Sequence, residues 1–164
     1  MSRDHGAPSD LVIADAEPVD AGEILTLQRA AFLRDAQITG DPFLPSLVQT
    51  LDEIVAEMTP PAWIFLKATI DARIVGSVRG HVSNRAIHIG RLMTAPDLQG
   101  RGIGGVLLAA IEARAAPFVD DFELATGAQN ESNIAMYTRR GYLEVRRVAD
   151  SPTVMAVVMR KHAR

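Results

Sequence analysis

The sequence predicts a single α/β domain, and three observations carry that reading. A length of 164 residues matches one domain and is enough to bury a substantial core. With 48% apolar and 23% charged residues, the composition is that of an ordinary globular chain, not a disordered one. Strand-like runs alternate with segments of helical periodicity in the order β-α-α-β-β-β-α-β-α-β-β, with no internal repeat or low-complexity linker.

Residues 1–9 read as a flexible N-terminal tail, with the domain spanning 10–164. Leu11, Val12 and Ile13 form a short strand that ends at Glu17-Pro18. Asp20 is placed to cap a helix whose Ile24, Leu27 and Ala31 share one face. Gly40, Pro42 and Pro45 break that helix, because glycine is too free and proline lacks an N–H. Ser46 then caps a second helix carrying Leu47, Leu51, Ile54, Val55 and Met58 on one stripe, and Thr59-Pro60-Pro61 stops it. Three consecutive strands follow, at 63–70, 74–82 and 87–94, with turns at Asp71-Ala72 and Asn84-Arg85. On the middle strand Val78, Gly80 and Val82 face one way and Ser77, Arg79 and His81 the other. After a glycine-rich loop, Ile103, Val106, Leu107, Ala110 and Ile111 give a helix its apolar stripe as far as Pro117. A strand at 122–126, a short helix at 133–140 with Gly141 as its left-handed stop, and a strand pair at 142–148 and 153–159 close the chain.

Composition excludes several function classes. Net charge is −3, and the basic residues come only as short pairs such as Arg139-Arg140 and Arg146-Arg147, so there is no broad basic surface for nucleic acid. The lack of cysteine rules out disulfides, thiolate zinc sites and cysteine nucleophiles. His5, His81, His88 and His162 are scattered without ligand spacing, so no metal is implied. Residues 1–10 are polar with no apolar leader core, and the longest apolar run, 103–111, is too short to cross a bilayer. The expectation is a soluble cytoplasmic protein with neither nucleic-acid nor membrane partners.

The most informative stretch is Gln99-Gly100-Arg101-Gly102-Ile103-Gly104, between a strand and a helix. Glycines at a helix mouth leave backbone N–H groups bare, and the helix dipole adds positive potential, which together seat a phosphate or pyrophosphate. Gly100, Gly102 and Gly105 also satisfy the Gly-x-Gly-x-x-Gly dinucleotide fingerprint. Against that reading, residues 95–99 separate the glycines from their strand, and Glu123 lies near the start of the next strand. The three hairpin-linked strands upstream leave no room for two mononucleotide halves. No Gly-Lys-Ser/Thr follows, which excludes a phosphate-loop kinase.

In this strand–turn–helix setting, the pattern Gln99-x-x-Gly102-x-Gly104 resembles the acetyl-CoA signature of the GNAT family of N-acetyltransferases. The element order agrees with that family from residue 11 onward. The resemblance implies the acyl-CoA N-acyltransferase (GNAT) fold, a mixed and mostly antiparallel sheet with helices on both faces and central strands splayed below Gly102. It implies acetyl-CoA as co-substrate, its pyrophosphate wrapped by main-chain amides of Gln99, Gly100, Arg101, Gly102, Ile103 and Gly104. Leu92, Met93 and Thr94 would pair through their backbone with the pantetheine arm.

A second constellation, Asn130 seven residues before Tyr137 and then Gly141-Tyr142, resembles the family's downstream motif. By that resemblance Asn130 contacts the pantetheine arm and Tyr137 is the general acid. A phenol with a pKa of about 10 is protonated at neutral pH and can donate to a departing thiolate. The competing reading is that Tyr137 only packs its helix onto the sheet. Asn133 stands where many members carry a small alanine.

The general base is less legible, because no Asp or Glu lies between Asp71 and Asp97. Counting back from Gln99, His88 falls where some members carry the base, and imidazole with a pKa of about 6.5 suits the task. A half-buried structural role for His88, and His81, Glu123 or a water relay as base, stay open. Residues 33–46, with Asp35, Asp41, Phe43 and Leu44, and the final strand pair are expected to shape the acceptor side. The expected reaction is direct acetyl transfer to a primary amine of a small molecule or peptide, without a covalent enzyme intermediate. The alternative is a non-catalytic acyl-CoA-binding or sensing module on the same fold, and homodimerisation is left open.

Overall fold

A seven-stranded sheet organises the computed structural model, which describes residues 6–164. Its strands are β1 (Val12–Asp15), β2 (Trp63–Ile70), β3 (Arg73–Ser83), β4 (Ala86–Thr94), β5 (Asp121–Gly127), β6 (Leu143–Ser151) and β7 (Val154–His162). They lie in the order β1-β2-β3-β4-β5-β7-β6, antiparallel throughout except for the parallel β4–β5 pair. The helices are α1 (Ala21–Thr39), α2 (Pro45–Val48), α3 (Leu51–Ala56), α4 (Ile103–Ala115) and α5 (Glu131–Arg139). The mixed, mostly antiparallel sheet is therefore as the sequence predicts. Of the expected tail, residues 1–5 lie outside the described residues; further on, the Leu11 N–H donates to the Pro8 carbonyl at 3.1 Å.

Side-chain alternation along β3 places helices on both faces of the sheet. Arg79 reaches Gln28 of α1 on one face, while a Cβ on Gly80 would touch Ile111 of α4 on the other. Ile103, Leu107, Leu108 and Ile111 of α4 are all at most 1% exposed. Burial of each such side chain stabilises the fold by about 1.5–3 kcal/mol relative to exposure. Gly76 lets α4 approach closely, since a Cβ there would stand 2.9 Å from Leu107 Cδ1 and 3.0 Å from the Met93 carbonyl oxygen. The glycine loop is thereby held over the end of β4.

The N-terminal helices differ from the sequence reading in two places. Asp20 occupies the cap position of α1, but its side chain does not cap the helix. Pro18 opens a 3-10 turn that runs straight into α1, so the Asp20 carboxylate turns back, accepting from the Glu17 N–H at 2.8 Å and pairing with Lys67 Nζ at 2.7 Å. The expected second helix is two short pieces, α2 and α3, and Thr50, not Ser46, caps the longer one in a reciprocal box with Glu53. The break is at Gln49, whose backbone is extended (φ −56°, ψ 134°). Its buried carboxamide accepts from Gln28 Nε2 at 2.9 Å and Arg79 Nη2 at 2.6 Å, and donates to Glu57 Oε1 at 2.7 Å. That polar cluster holds Gln49 inside and interrupts the helix. Burial pushes Arg79 down to about 10 despite the Glu57 carboxylate beside it.

Two irregularities of β4 shape the centre of the molecule. Ser77 is opposite Met93 while Arg79 is opposite Gly90, so β4 carries one extra residue at Arg91-Leu92, and Arg91 takes φ 50°. Such a bulge bends its strand. β4 and β5 pair only from Ala86↔Asp121 to Ile89↔Leu124, although β4 continues to Thr94 and β5 to Gly127. Beyond Ile89 the strands separate into a wedge.

Candidate active site

The wedge opens into a cavity of about 670 Å³. Gly90, Arg91 and Leu92 of β4 face residues 124–127 of β5 across it. It is closed by Asp35, Ile38 and Thr39 near the end of α1, by Leu44, Pro45 and Ser46, by Asn130, Asn133 and Tyr137, and by the β6–β7 end from Arg147 to Ala156. Residues 33–46 and the final strand pair thus do contribute walls.

Tyr137 is 6% exposed and packs edge-on against Tyr142, with ring centroids 6.0 Å apart. Tyr142 is tied down by its hydroxyl, which donates to Glu112 Oε1 at 2.7 Å. Tyr137 lines the cavity, and its own hydroxyl has no hydrogen-bond partner among the described residues. Burial and then the charge of Asp35 push its phenol up to about 12, so it stays protonated and available as a donor.

Asp35 is the acidic group beside it. Burial raises its carboxyl above the usual aspartate value, outweighing the hydrogen bond from Asn130 Nδ2 (3.2 Å) and the charge of Arg34. The sequence places Asp35 in a loop over 33–46, whereas α1 continues through it to Thr39, and its approach to Asn130, 95 positions away, is a product of the fold. Asn130 caps α5, its Oδ1 accepting from the Asn133 N–H at 3.1 Å and from Ser132 Oγ at 3.0 Å. Since Asn130 Nδ2 carries two hydrogens, one remains beyond the Asp35 contact. Asn133 donates to Thr126 Oγ1 at 3.3 Å.

His88 and Glu123 are held elsewhere. They sit in the last paired stretch of β4 and β5, with His88 Nδ1 3.5 Å from Glu123 Oε1, and neither lines the cavity. Burial would raise the Glu123 carboxyl, but hydrogen bonds from Arg160 (2.8 Å) and Arg146 (2.9 Å) outweigh it and hold the group below its usual range. His81 packs at a tilt against Trp63, with ring centroids 4.9 Å apart and planes inclined by 58°. Asp41 and Phe43 are also outside the lining; the Asp41 carboxylate accepts from the Phe43 N–H at 2.8 Å, and Phe43 is 75% exposed.

The glycine loop lies outside this cavity, at the far end of β4. Pro96–Leu98 makes one 3-10 turn, anchored by a two-point Arg73–Asp97 pair at 2.9 and 2.7 Å. Gly100 (φ 76°) and Gly102 (φ 77°) are left-handed, which favours glycine at both. The first main-chain bond of α4 runs from the Val106 N–H to the Gly102 carbonyl at 3.1 Å. Among the described residues, no main-chain acceptor takes the N–H groups from Gln99 to Gly105. A Cβ on Gly100 would meet nothing within 4 Å, and one on Gly104 only Thr94 Oγ1 at 3.8 Å, whereas one on Gly105 would run into the Arg140 guanidinium. Gly105 is thus a packing glycine, and Gly100 and Gly104 border open space.

Sequence reasoning passes over Arg91, which lines the cavity with its Nε buried and unpartnered. The available signal is an arginine between Gly90 and Leu92 in a largely apolar strand. What the sequence does not show is the bulge that places it.

The chain belongs to the acetyltransferase (GNAT) family, whose model matches residues 25–142. A comparison with curated proteins finds no match. Among solved structures, the chain is similar to the ribosomal-protein-S18-alanine N-acetyltransferase of Escherichia coli, with a TM-score of 0.77 and 16% identity over 93% of this chain and 94% of that one. It is similar to the PaiA N-acetyltransferase of Thermoplasma acidophilum in complex with coenzyme A, with a TM-score of 0.74 and 14% identity over 93% and 98% of the two chains. A chimera of the spermidine N-acetyltransferase SpeG of Vibrio cholerae and hSSAT gives a TM-score of 0.74 and 15% identity over 94% and 96%. At these identities the likeness establishes the shared fold. Acetyl-CoA is the co-substrate of the family, and the unpaired amides, the open glycines and the wedge between β4 and β5 fit such a molecule. No helix among the described residues is long and apolar enough to cross a membrane.

Proposed function

We propose that this protein transfers an acetyl group from acetyl-CoA to a primary amine held in the cavity between the end of α1 and the β6–β7 end. The observation that carries the reading is the pairing of a protonated, unpartnered Tyr137 hydroxyl with a raised Asp35 carboxyl on the wall of one cavity. Acetyl-CoA supplies the acetyl group already activated as a thioester. The amides of Gln99 to Gly104 hold its pyrophosphate at the mouth of α4. The backbone of Leu92, Met93 and Thr94, with Asn130, lines its arm. Asp35 takes one proton from the acceptor ammonium, and the free amine attacks the thioester carbonyl. As the C–S bond breaks, Tyr137 donates its proton to the departing sulfur, and its oxygen is restored by the second proton leaving the nitrogen. The net release is the single proton held by Asp35. Asp35 replaces His88 in the role of base, because it shares the cavity with Tyr137 and His88 does not.

Acetyl-CoA and CoA are expected to raise the melting temperature, ligand at 100 times its Kd adding about 2.7 kcal/mol by mass action. NAD should give little shift; a larger shift with NAD than with CoA overturns the cofactor assignment. Release of free CoA only when amines are added separates an enzyme from a binding module.

Gly104→Val tests the loop. At Gly102 the left-handed φ would itself strain any side chain, which would confuse folding with binding. Gly104 is helical and faces open space, so a side chain there is tolerated by the protein and projects into the cradle. CoA affinity is expected to fall about tenfold or more, roughly 1.4 kcal/mol, with little change in the melting temperature of the free protein. Unchanged affinity returns the loop to a purely structural role.

A further inference from the structure

We infer that the amine acceptor carries a carboxylate and that Arg91 recognises it, so that the substrate class is a small aminocarboxylate such as an amino acid. This rests on the transfer reading above and deepens it. Arg91 lines the acceptor cavity, and its Nε is buried without a partner. Among the described residues its guanidinium makes no hydrogen bond or ion pair, which is costly for a partly desolvated charge. The two carboxylates whose charge reaches it, Glu57 and Asp150, make no bond to it. Glu57 is already engaged by Arg79, with Nε to Oε2 at 2.6 Å, and by Gln49 Nε2 at 2.7 Å. Asp150, the other acidic group near Arg91, forms no bond to it and is exposed. Arg79 is a second buried cation on the same side. Arg79 and Arg91 therefore share the field of Glu57, with exposed Asp150 acting on Arg91 as well, yet neither carboxylate is bonded to Arg91, whose fork stays open towards the cavity.

The co-substrate does not fill that fork. Its anionic groups are phosphates at the nucleotide end, the pyrophosphate being assigned to the loop at Gln99 to Gly104, none of which lines this cavity, and its thioester end is neutral. The missing anion therefore belongs to the acceptor. A guanidinium fork matches a carboxylate at two points, and Asp35 on another wall offers the opposite charge to an ammonium. The cavity totals about 670 Å³, and the part left beside the co-substrate's arm suits a small molecule bearing both. The positive φ of Arg91 is a backbone cost in any non-glycine residue, and the bulge imposes it where the side chain borders the site.

The test has two readouts. CoA release is measured with the wild-type protein for L-amino acids, for the amines left by removing their carboxylates, for their carboxamides, and for 2-aminoethyl phosphate and taurine. Amino-acid binding to the CoA-saturated protein is measured by calorimetry for wild type and Arg91→Gln. Loss of the carboxylate is expected to lower kcat/KM by about tenfold or more, and Arg91→Gln to weaken amino-acid binding while CoA affinity stays the same. Equal turnover of amino acids and decarboxylated amines, or a preference that survives in Arg91→Gln, overturns the inference. So does a preference for the phosphate or the sulfonate. Arg91-dependent amino-acid binding without any CoA release leaves the inference standing and overturns the transfer reading; no amino-acid binding and no CoA release overturn both.

Discussion

Tyr137→Phe is expected to lower kcat by about 10²–10⁴-fold, the usual contribution of a positioned general acid, with CoA affinity nearly unchanged. The substitution keeps the ring that packs edge-on against Tyr142 and removes only a hydroxyl with no partner among the described residues. Among the described residues the hydroxyl makes no hydrogen bond to lose, so the melting temperature should hold. The wild-type phenol lies at about 12, so the acid is intact across the working range and no alkaline loss from Tyr137 falls within it. If kcat stays within about threefold, another group or solvent protonates the thiolate. If CoA affinity falls in step with the rate, Tyr137 is a cofactor contact instead.

Asp35→Asn is expected to remove a comparable 10²–10⁴-fold from kcat/KM at neutral pH while making the fold more stable there. The sign follows from linkage. Burial raises the Asp35 carboxyl above its unfolded value, so its stability contribution is full below the unfolded pKa and is lost as pH rises through the folded one. An asparagine never charges, and its Oδ1 still accepts from Asn130 Nδ2. The melting temperatures of variant and wild type should therefore converge in acid and separate towards neutrality, the variant being higher. In the wild type, activity should rise along an acid limb displaced upward from that of an ordinary aspartate, and the variant should lack that limb. A variant that keeps its activity, or that melts lower at neutral pH, removes Asp35 from the mechanism.

Much of this was legible in local pattern, for local reasons. The hairpins at Asp71 and Asn84-Arg85, the left-handed Gly141 and the loop before α4 each follow from turn chemistry within a few residues, and the structure shows positive φ at each of these turns. The second helix reads as continuous because its apolar spacing runs across Gln49, whereas the break is caused by a buried carboxamide held by Gln28 of α1, Arg79 of β3 and Glu57 at the end of α3. The group proposed as base is hidden from the sequence for a related reason. Position along the strand favours His88, but which acid shares a cavity with Tyr137 depends on the end of α1 meeting the start of α5. Arg91 shows no periodic signal at all, because a one-residue slip in β4 decides where it points.

The short contact between β4 and β5 also has a mechanical side. Past Ile89 and Leu124, β4 remains bonded to β3 through Met93 and Thr94, and β5 to β7 through Ala125, Thr126 and Gly127, but the flanks that face each other have no strand between them. The sheet thus has two rims inside the molecule, where edges normally lie at the periphery. It behaves as two plates welded along four residue pairs, strapped outside the weld by Arg85–Asp120 and Tyr142–Glu112. An extended ligand carrying its own amides can complete both rims as an added strand does. The line along which the sheet's ladder is interrupted is then also the line along which it is joined when loaded.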